Sequence, residues 1–157
     1  MSRSDGFRLG SWLSGPEPQG HDEDGYPGKA MGFPQHGSGS LAFTGRRIAA
    51  LLVDWLIGYG LAGLALKFGL IPLDALSTTV LGVWFVLGVI SLSLFGFTPG
   101  QLALGLIVVP VDDAPRVGFI RAVVRGALVA LVVPPLFTDA DMRGVQDRVT
   151  GTAVIRR

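Results

Sequence analysis

Apolar residues fall into two long runs in the middle of the chain, at residues 48–66 and 75–97. At 1.5 Å per residue, the first run makes a helix of about 28 Å, which matches the hydrocarbon thickness of a bilayer. The second run is of similar length, and its hydrogen-bonding side chains are almost all Ser and Thr hydroxyls, which a membrane helix tolerates. The pattern therefore predicts two transmembrane helices, joined by a short loop that contains Pro72.

A third apolar run, residues 119–137, allows two interpretations. Arg121 and Arg125 lie at its start, and Pro134 and Pro135 lie near its end. After Arg125 only about 18 Å of helix remains, which is short of a bilayer. A full crossing would also carry the arginines of residues 143–157 to the outside. We therefore expect a partial, re-entrant helix shielded by the first two helices, with a tilted full crossing as the alternative.

The segments that flank these runs are punctuated by Gly, Pro and Asp. Residues 106–111 are apolar and partly β-branched, and Asp112-Asp113-Ala114-Pro115 follows them as a turn. We expect residues 106–111 and 116–119 to form a small interfacial hairpin. Residues 1–42 are rich in Gly, Pro and Ser without apolar periodicity, which predicts a disordered tail. Residues 43–157 then form the transmembrane domain.

The predicted fold class is an all-α membrane protein, and its orientation follows from the distribution of basic residues. Arginines precede the first span and follow the second, whereas the loop between the spans has Lys67 alone. Because basic residues favour the cytoplasmic side, both termini are expected in the cytoplasm and the loop outside. The expected location is the plasma membrane, as a multi-pass protein.

Composition supports the membrane assignment and excludes several function classes. The chain is 49% hydrophobic and only 16% charged, where soluble chains average about 25% charged residues. It has no cysteine, and both histidines lie in the polar leader, so no catalytic, metal or cofactor constellation is present. The net charge is +1 without a basic block, which argues against nucleic-acid binding. We expect a protein that is not an enzyme.

Asp54 is the unusual residue of the first span. An unpaired aspartate at membrane depth costs about 2.5–3.5 kcal/mol on insertion scales, so a partner is expected. By depth, the candidate cations are Arg121 and Arg125. Arg47, two helical turns before Asp54, is a candidate partner for Asp147 of the C-terminal segment. The sequence therefore predicts a shielded charge cluster near the cytoplasmic leaflet, made of Arg47, Asp54, Arg121 or Arg125, and Asp147.

Two roles for this cluster remain open from the residues alone. Ion pairs between helices fix their register, and intramembrane carboxylates also mark ion and proton pathways. An aspartate held by a permanent cation is a poor proton carrier, because the cation lowers its pKa. Two spans cannot enclose a pathway alone, so transport would need a homo-oligomer or a larger membrane partner. Gly58 and Ala62 have the small-xxx-small spacing that allows close helix contact.

Three ordered motifs resemble the RDD family of small bacterial membrane proteins, named for an arginine and two aspartates. They are Arg47-x-x-Ala50-x-x-x-Asp54; Thr98-Pro99-Gly100-x-x-x-x-Gly105 with Val108-Val109 and Ala122-x-x-Arg125; and Arg143-Gly-Val-Gln-Asp147-Arg148-Val-Thr-Gly151-Thr152-Ala-Val-Ile155. The resemblance covers about residues 43–155. By matching position, it implies that the naming residues are Arg47, Asp54 and Asp147.

The chain departs from the family pattern in two turns. Gln101 stands where the family usually has Lys or Arg, and Asp112-Asp113-Ala114 replaces an Asp-x-Gly turn. The resemblance implies a bacterial plasma-membrane protein. It also implies a role in transport of an ion or small solute, for which cation/proton antiport has been proposed in some members. The alternative is a non-catalytic membrane scaffold or accessory subunit.

Overall fold

A computed structural model describes residues 25–131 and 143–157 of the chain. The described part is mostly helical, with one small sheet. Its elements in chain order are α1 (Thr44–Lys67), α2 (Leu76–Phe95), α3 (Pro99–Ala103), β1 (Leu106–Pro110), α4 (Phe119–Ala130), α5 (Val145–Thr150) and β2 (Thr152–Arg156). Short 3-10 turns lie at Lys29–Met31 and Leu73–Ala75.

Among the described residues, two helices are long and apolar enough to cross a membrane, and they are the two that the sequence predicts. They are Thr44–Lys67 and Leu73–Phe95, the second including the 3-10 turn before α2. In the most apolar 18-residue stretch of each helix, only 22% is buried inside the protein. Large side chains such as Leu56 and Ile90 face outward instead. A core helix of a soluble protein would bury most of such a stretch, so this exposure favours a lipid environment.

Small residues bring α1 and α2 together. Gly58 is buried on α1, and a Cβ there would lie 3.3 Å from the Cβ of Trp84 on α2. Trp84 in turn stacks on Trp55, with ring centroids 5.4 Å apart. Ala62, one turn beyond Gly58, is fully buried. The predicted close contact at the small-xxx-small spacing is therefore present in the structure.

The Thr98-Pro99-Gly100 motif begins a short helix. Thr98 precedes α3, and its hydroxyl oxygen accepts a hydrogen bond from the Gln101 amide at 3.3 Å. The Gln101 side-chain oxygen accepts from the Thr98 amide at 3.0 Å. This reciprocal capping box satisfies two amide groups at the start of α3. The Gln101 that departs from the family pattern thus has a structural role here.

The two strands form an antiparallel pair that joins distant parts of the chain. Leu106 pairs with Arg156, and Pro110 pairs with Thr152. The expected hairpin between residues 106–111 and 116–119 is wrong, because the partner of β1 is the C-terminal strand β2. Residues 116–118, between the turn and α4, form no strand, since Gly118 already caps the start of α4. The fold is therefore not purely helical.

The third apolar run contains α4, which ends with Leu131 as its C-terminal cap. At 1.5 Å per residue α4 is about 18 Å long, shorter than the hydrocarbon core. It packs on α2, where Gly126 leaves space for Phe85. The expected break at Pro134 and Pro135 lies outside the described residues, so partial and full crossing both stay predictions.

The predicted disordered tail differs from the structure at its end. The Gly39 amide donates to the Arg156 carbonyl at 2.7 Å, and the Ala42 amide donates to Val154 at 2.8 Å. Leu41 and Ala42 are buried because they lie against β2. Because these residues are buried and hydrogen-bonded to β2, the ordered domain begins before residue 43. Residues 1–24 of the predicted tail lie outside the described part.

Candidate charge-cluster site

Asp147 is the centre of a buried charge cluster. It lies in the first turn of α5 and has no exposed surface. Its Oδ2 accepts a hydrogen bond from Nη1 of Arg47 on α1 at 2.6 Å. Its Oδ1 accepts a hydrogen bond from Nη1 of Arg125 on α4. One carboxylate therefore connects three helices, and the predicted contact between Arg47 and Asp147 is present.

Further hydrogen bonds fix the position of this carboxylate and of its helix. The Gly144 amide donates to Asp147 Oδ2 at 3.2 Å, which caps the start of α5. Arg125 also donates to the Thr152 hydroxyl at 3.2 Å. Arg143 Nη2 donates to the carbonyls of Asp147, at 3.2 Å, and Thr152, at 3.1 Å. These bonds extend the cluster into β2.

The two arginines determine the ionisation of Asp147. Burial alone would raise the pKa of this carboxyl group. The adjacent charges of Arg125 and Arg47, with hydrogen bonds from Arg125 and Gly144, outweigh burial and hold the pKa below its usual range. Asp147 is therefore ionised at neutral pH, and the three side chains together carry one excess positive charge.

Asp54 contacts a hydroxyl and a backbone amide rather than a cation. Thr98 Oγ1 donates to its Oδ2 at 2.5 Å, and the Gly100 amide donates to its Oδ1 at 2.7 Å. Within residues 25–131 and 143–157, no Lys or Arg nitrogen lies within 4.0 Å of this carboxylate. The expected ion pair with Arg121 or Arg125 is therefore wrong, because α3 supplies neutral donors at closer range.

A close approach of α3 to α1 makes these contacts possible. A Cβ on Gly100 would lie 2.1 Å from the carbonyl oxygen of Ala50 and 2.9 Å from Cγ of Asp54. Real Cβ atoms do not occur at such distances, so only glycine fits at this position. The spacing of Ala50 and Asp54 on α1, one turn apart, matches the point where Gly100 touches the helix.

Arg121 lies outside the cluster. Its Nη1 donates to Asp112 Oδ1 at 2.9 Å, and its Nη2 donates to Oδ2 of the same carboxylate. Both side chains are partly exposed to solvent. Arg121 and Arg125 are one helical turn apart, but the buried Arg125 points to Asp147, whereas Arg121 points to the turn that precedes α4. The prediction placed Arg121 too close to Asp54.

A cavity of about 70 Å³ separates Asp54 from the arginine cluster. It lies between α1, α2 and α4, and the residues around it are largely apolar. Its polar lining residues are Arg47, Asp54, Thr98, Gln101, Arg125 and Gln146. At roughly 30 Å³ for each water, a cavity of this volume holds about two water molecules, or a small solute of similar size. Asp54 and the two arginines thus adjoin one cavity without contacting each other.

Sequence reasoning missed three partners that complete the site: Thr98, Gly100 and Gln146. The Thr-Pro-Gly motif was visible, but a backbone amide leaves no signature of what it will bind. Gln146 is buried beside Asp147, and its Oε1 has no hydrogen-bond partner in the described part of the chain. Within that part, no group of acidic or histidine residues is arranged to hold a metal ion.

The fold and this cluster define a class of protein: a small, mostly helical membrane protein with a buried Arg–Asp–Arg centre. Comparison with family models identifies it further, since residues 41–150 match the RDD family. The match covers more than half of the chain, so the chain belongs to the RDD family, whose members are membrane-associated. Searches of curated proteins and of solved structures gave no match.

Proposed function

We propose that the protein is a multi-pass plasma-membrane protein that takes part in the transport of an ion or small solute. The cavity between α1, α2 and α4 is its binding site. Both termini are cytoplasmic in this proposal, because the arginines before α1 and after α2 favour that side. The protein acts without catalysing a reaction and does not bind nucleic acid.

The observation that carries this proposal is the position of Asp54. It lies in an apolar span, 6% exposed, and borders a cavity with room for a small ion or about two water molecules. A permanent cation in contact would have kept the carboxylate ionised and hindered proton exchange. Its two partners are instead a hydroxyl and an amide, and each carboxylate oxygen retains a further lone pair for a ligand.

Unsatisfied donors nearby also favour a binding role. In the described part of the chain, Nε and Nη2 of Arg47 are buried without a hydrogen-bond partner. Leaving such groups unpaired costs free energy, which a cluster with a purely structural role would avoid. A state in which the cavity is filled and its lining rearranged would supply the missing acceptor.

One chain with two apolar spans does not enclose a pathway. In this proposal, a second copy or a larger membrane partner therefore contributes the other wall. The outward side chains of α1 and α2, among them Leu56 and Ile90, offer the apolar surface for such an assembly or for lipid.

Flux through proteoliposomes tests the transport role. A pH-sensitive dye would report collapse of an imposed proton gradient when Na⁺ or K⁺ is added, and a light-scattering swelling assay would report small solutes. We expect the wild type to exceed empty liposomes and Asp54→Asn to fall to their level. Asn keeps an oxygen that can accept from Gly100, so its melting temperature should remain close to that of the wild type.

Asp74→Asn is the matched control, since Asp74 is exposed at the opposite end of the helix pair. It should transport as the wild type does. Wild-type liposomes without flux, or full flux in Asp54→Asn, would contradict the transport proposal.

The second candidate is a non-catalytic scaffold or accessory subunit. The observation that favours it is the complete burial of Asp147 between arginines from two other elements. Such a centre fixes how α5 and β2 attach to α1 and α4. In that case the Asp54 and Asp147 variants would change stability or assembly together, and no variant would affect a flux.

A further inference from the structure

The outward surface of α4 and α5 carries large apolar side chains although both helices lie beside a charged centre. On α4, Ile120 is 78% exposed while Arg125 is 6% exposed. On α5, Val149 is 63% exposed while Asp147 is completely buried. A helix in water has the reverse arrangement, with charges outside and apolar residues inside. This surface is therefore suited to lipid.

A groove of about 400 Å³ runs between the two helices on this surface. Ile120 and Val124 line it from α4, and Val149 lines it from α5. Two arginines, Arg121 and Arg148, also line it. An apolar floor beside guanidinium groups matches the chemistry of a phospholipid, with an acyl chain next to a phosphate.

We propose that this groove binds an anionic phospholipid. Its phosphate lies at Arg148 and Arg121. The part of an acyl chain nearest the headgroup lies against Ile120, Val124 and Val149. Arginine suits phosphate because its planar guanidinium offers paired donors. Arg121 uses two of its five N–H donors on Asp112, which leaves others for the lipid.

The charge and position of the groove favour an anionic headgroup over a neutral one. Basic pockets beside membrane helices on the cytoplasmic side attract anionic lipids, with about 1 kcal/mol for each basic residue near the surface. The groove lies on the helices that follow the second span, where arginines are concentrated. This proposal does not depend on transport, because the groove and the cavity at Asp54 are lined by different residues.

Lipid retention by the purified full-length chain tests the proposal. Native mass spectrometry in detergent would compare phosphatidylglycerol with phosphatidylcholine of the same acyl chains. We expect the wild type to retain phosphatidylglycerol preferentially. Arg148→Gln should weaken that retention about fivefold, the effect of one basic residue near an anionic surface. Arg148→Lys should restore most of it.

Arg116→Gln is the matched control, since Arg116 is an exposed arginine that does not line the groove. It should retain lipid as the wild type does. Val149→Ser should lower retention of both lipids, because it removes apolar contact from the groove. Thermal unfolding of each variant would verify that it is folded.

Several results would overturn the proposal. Equal retention of both lipids by the wild type would remove the preference for an anionic headgroup. Unchanged retention in Arg148→Gln, or equal losses in Arg148→Gln and Arg116→Gln, would show that the lipid does not bind in the groove. Displacement of the lipid by millimolar inorganic phosphate would assign the site to free phosphate instead.

Discussion

At the scale of single residues, the structure depends on one carboxylate with two cationic partners. Asp147 accepts from Arg47 and Arg125, which come from parts of the chain far apart in sequence. Each guanidinium is largely removed from water, and the burial of such a charge is costly unless a counter-charge is present. Removal of the carboxylate therefore leaves two like charges close together in a region of low polarity.

Asp147→Asn should destabilise the protein strongly. Breaking a buried ion pair by removing one partner costs about 3–5 kcal/mol, because the remaining charge stays buried. The melting temperature of the purified chain in detergent would measure the effect. Asp113→Asn is the control, because Asp113 is an exposed acidic residue in the turn after β1. Equal melting temperatures for the two variants would contradict the central role of Asp147.

Some contacts of the buried charged residues could be predicted from the sequence, and others could not. The contact of Arg47 with Asp147 could be predicted, because the sequence places both residues on the same side of the predicted spans and they have opposite charge. The partners of Asp54 could not be predicted from the sequence. They are a hydroxyl and a backbone amide, and such donors occur in many other segments of the chain. Charge matching favoured Arg125, but this guanidinium binds Asp147. A carboxylate inside a span needs donors, and they need not be cations.

At the scale of elements, the two spans were predictable and the sheet was not. A run of apolar residues is a local signal, so the spans were placed to within a few residues of Thr44–Lys67 and Leu73–Phe95. The pairing of β1 with β2 joins residues 106–110 to residues 152–156. No local sequence pattern indicates which strand β1 pairs with. The segment at residues 116–119 was the predicted partner because it is nearer in sequence.

The contact of α3 with α1 depends on the absence of a side chain at Gly100. Gly100→Ala should push the two elements apart, since its Cβ would collide with the Ala50 carbonyl. Overpacking of this kind costs about 1–3 kcal/mol. The displacement would also weaken the hydrogen bonds from Thr98 and Gly100 to Asp54. Thermal unfolding in detergent would measure the loss.

Gly60→Ala is the matched control for this change. Gly60 lies on α1, and a Cβ there meets nothing within 4 Å. Alanine is the better helix former, so this variant should be as stable as the wild type or slightly more stable. If Gly100→Ala were no less stable than Gly60→Ala, the close approach of α3 to α1 would be refuted.

At the scale of the whole molecule, the polar elements gather at one end of the helix pair. The Ala42 amide, just before α1, bonds to β2, and the Val108 amide of β1 bonds to Gly96, just after α2. The loop between the spans, with Leu70, lies at the opposite end. The charge cluster, the sheet and the cavity at Asp54 thus adjoin the helix ends that bear Arg47, as expected for a cytoplasmic face.

Cysteine labelling from outside the cell tests this arrangement most directly, since the native chain has no cysteine. Single variants Leu70→Cys and Arg157→Cys would be treated with a membrane-impermeant maleimide, because both positions are exposed. We predict that intact cells label position 70 alone and that permeabilised cells label both. Labelling of position 157 in intact cells would contradict the two-crossing membrane protein with its charge cluster on the cytoplasmic side.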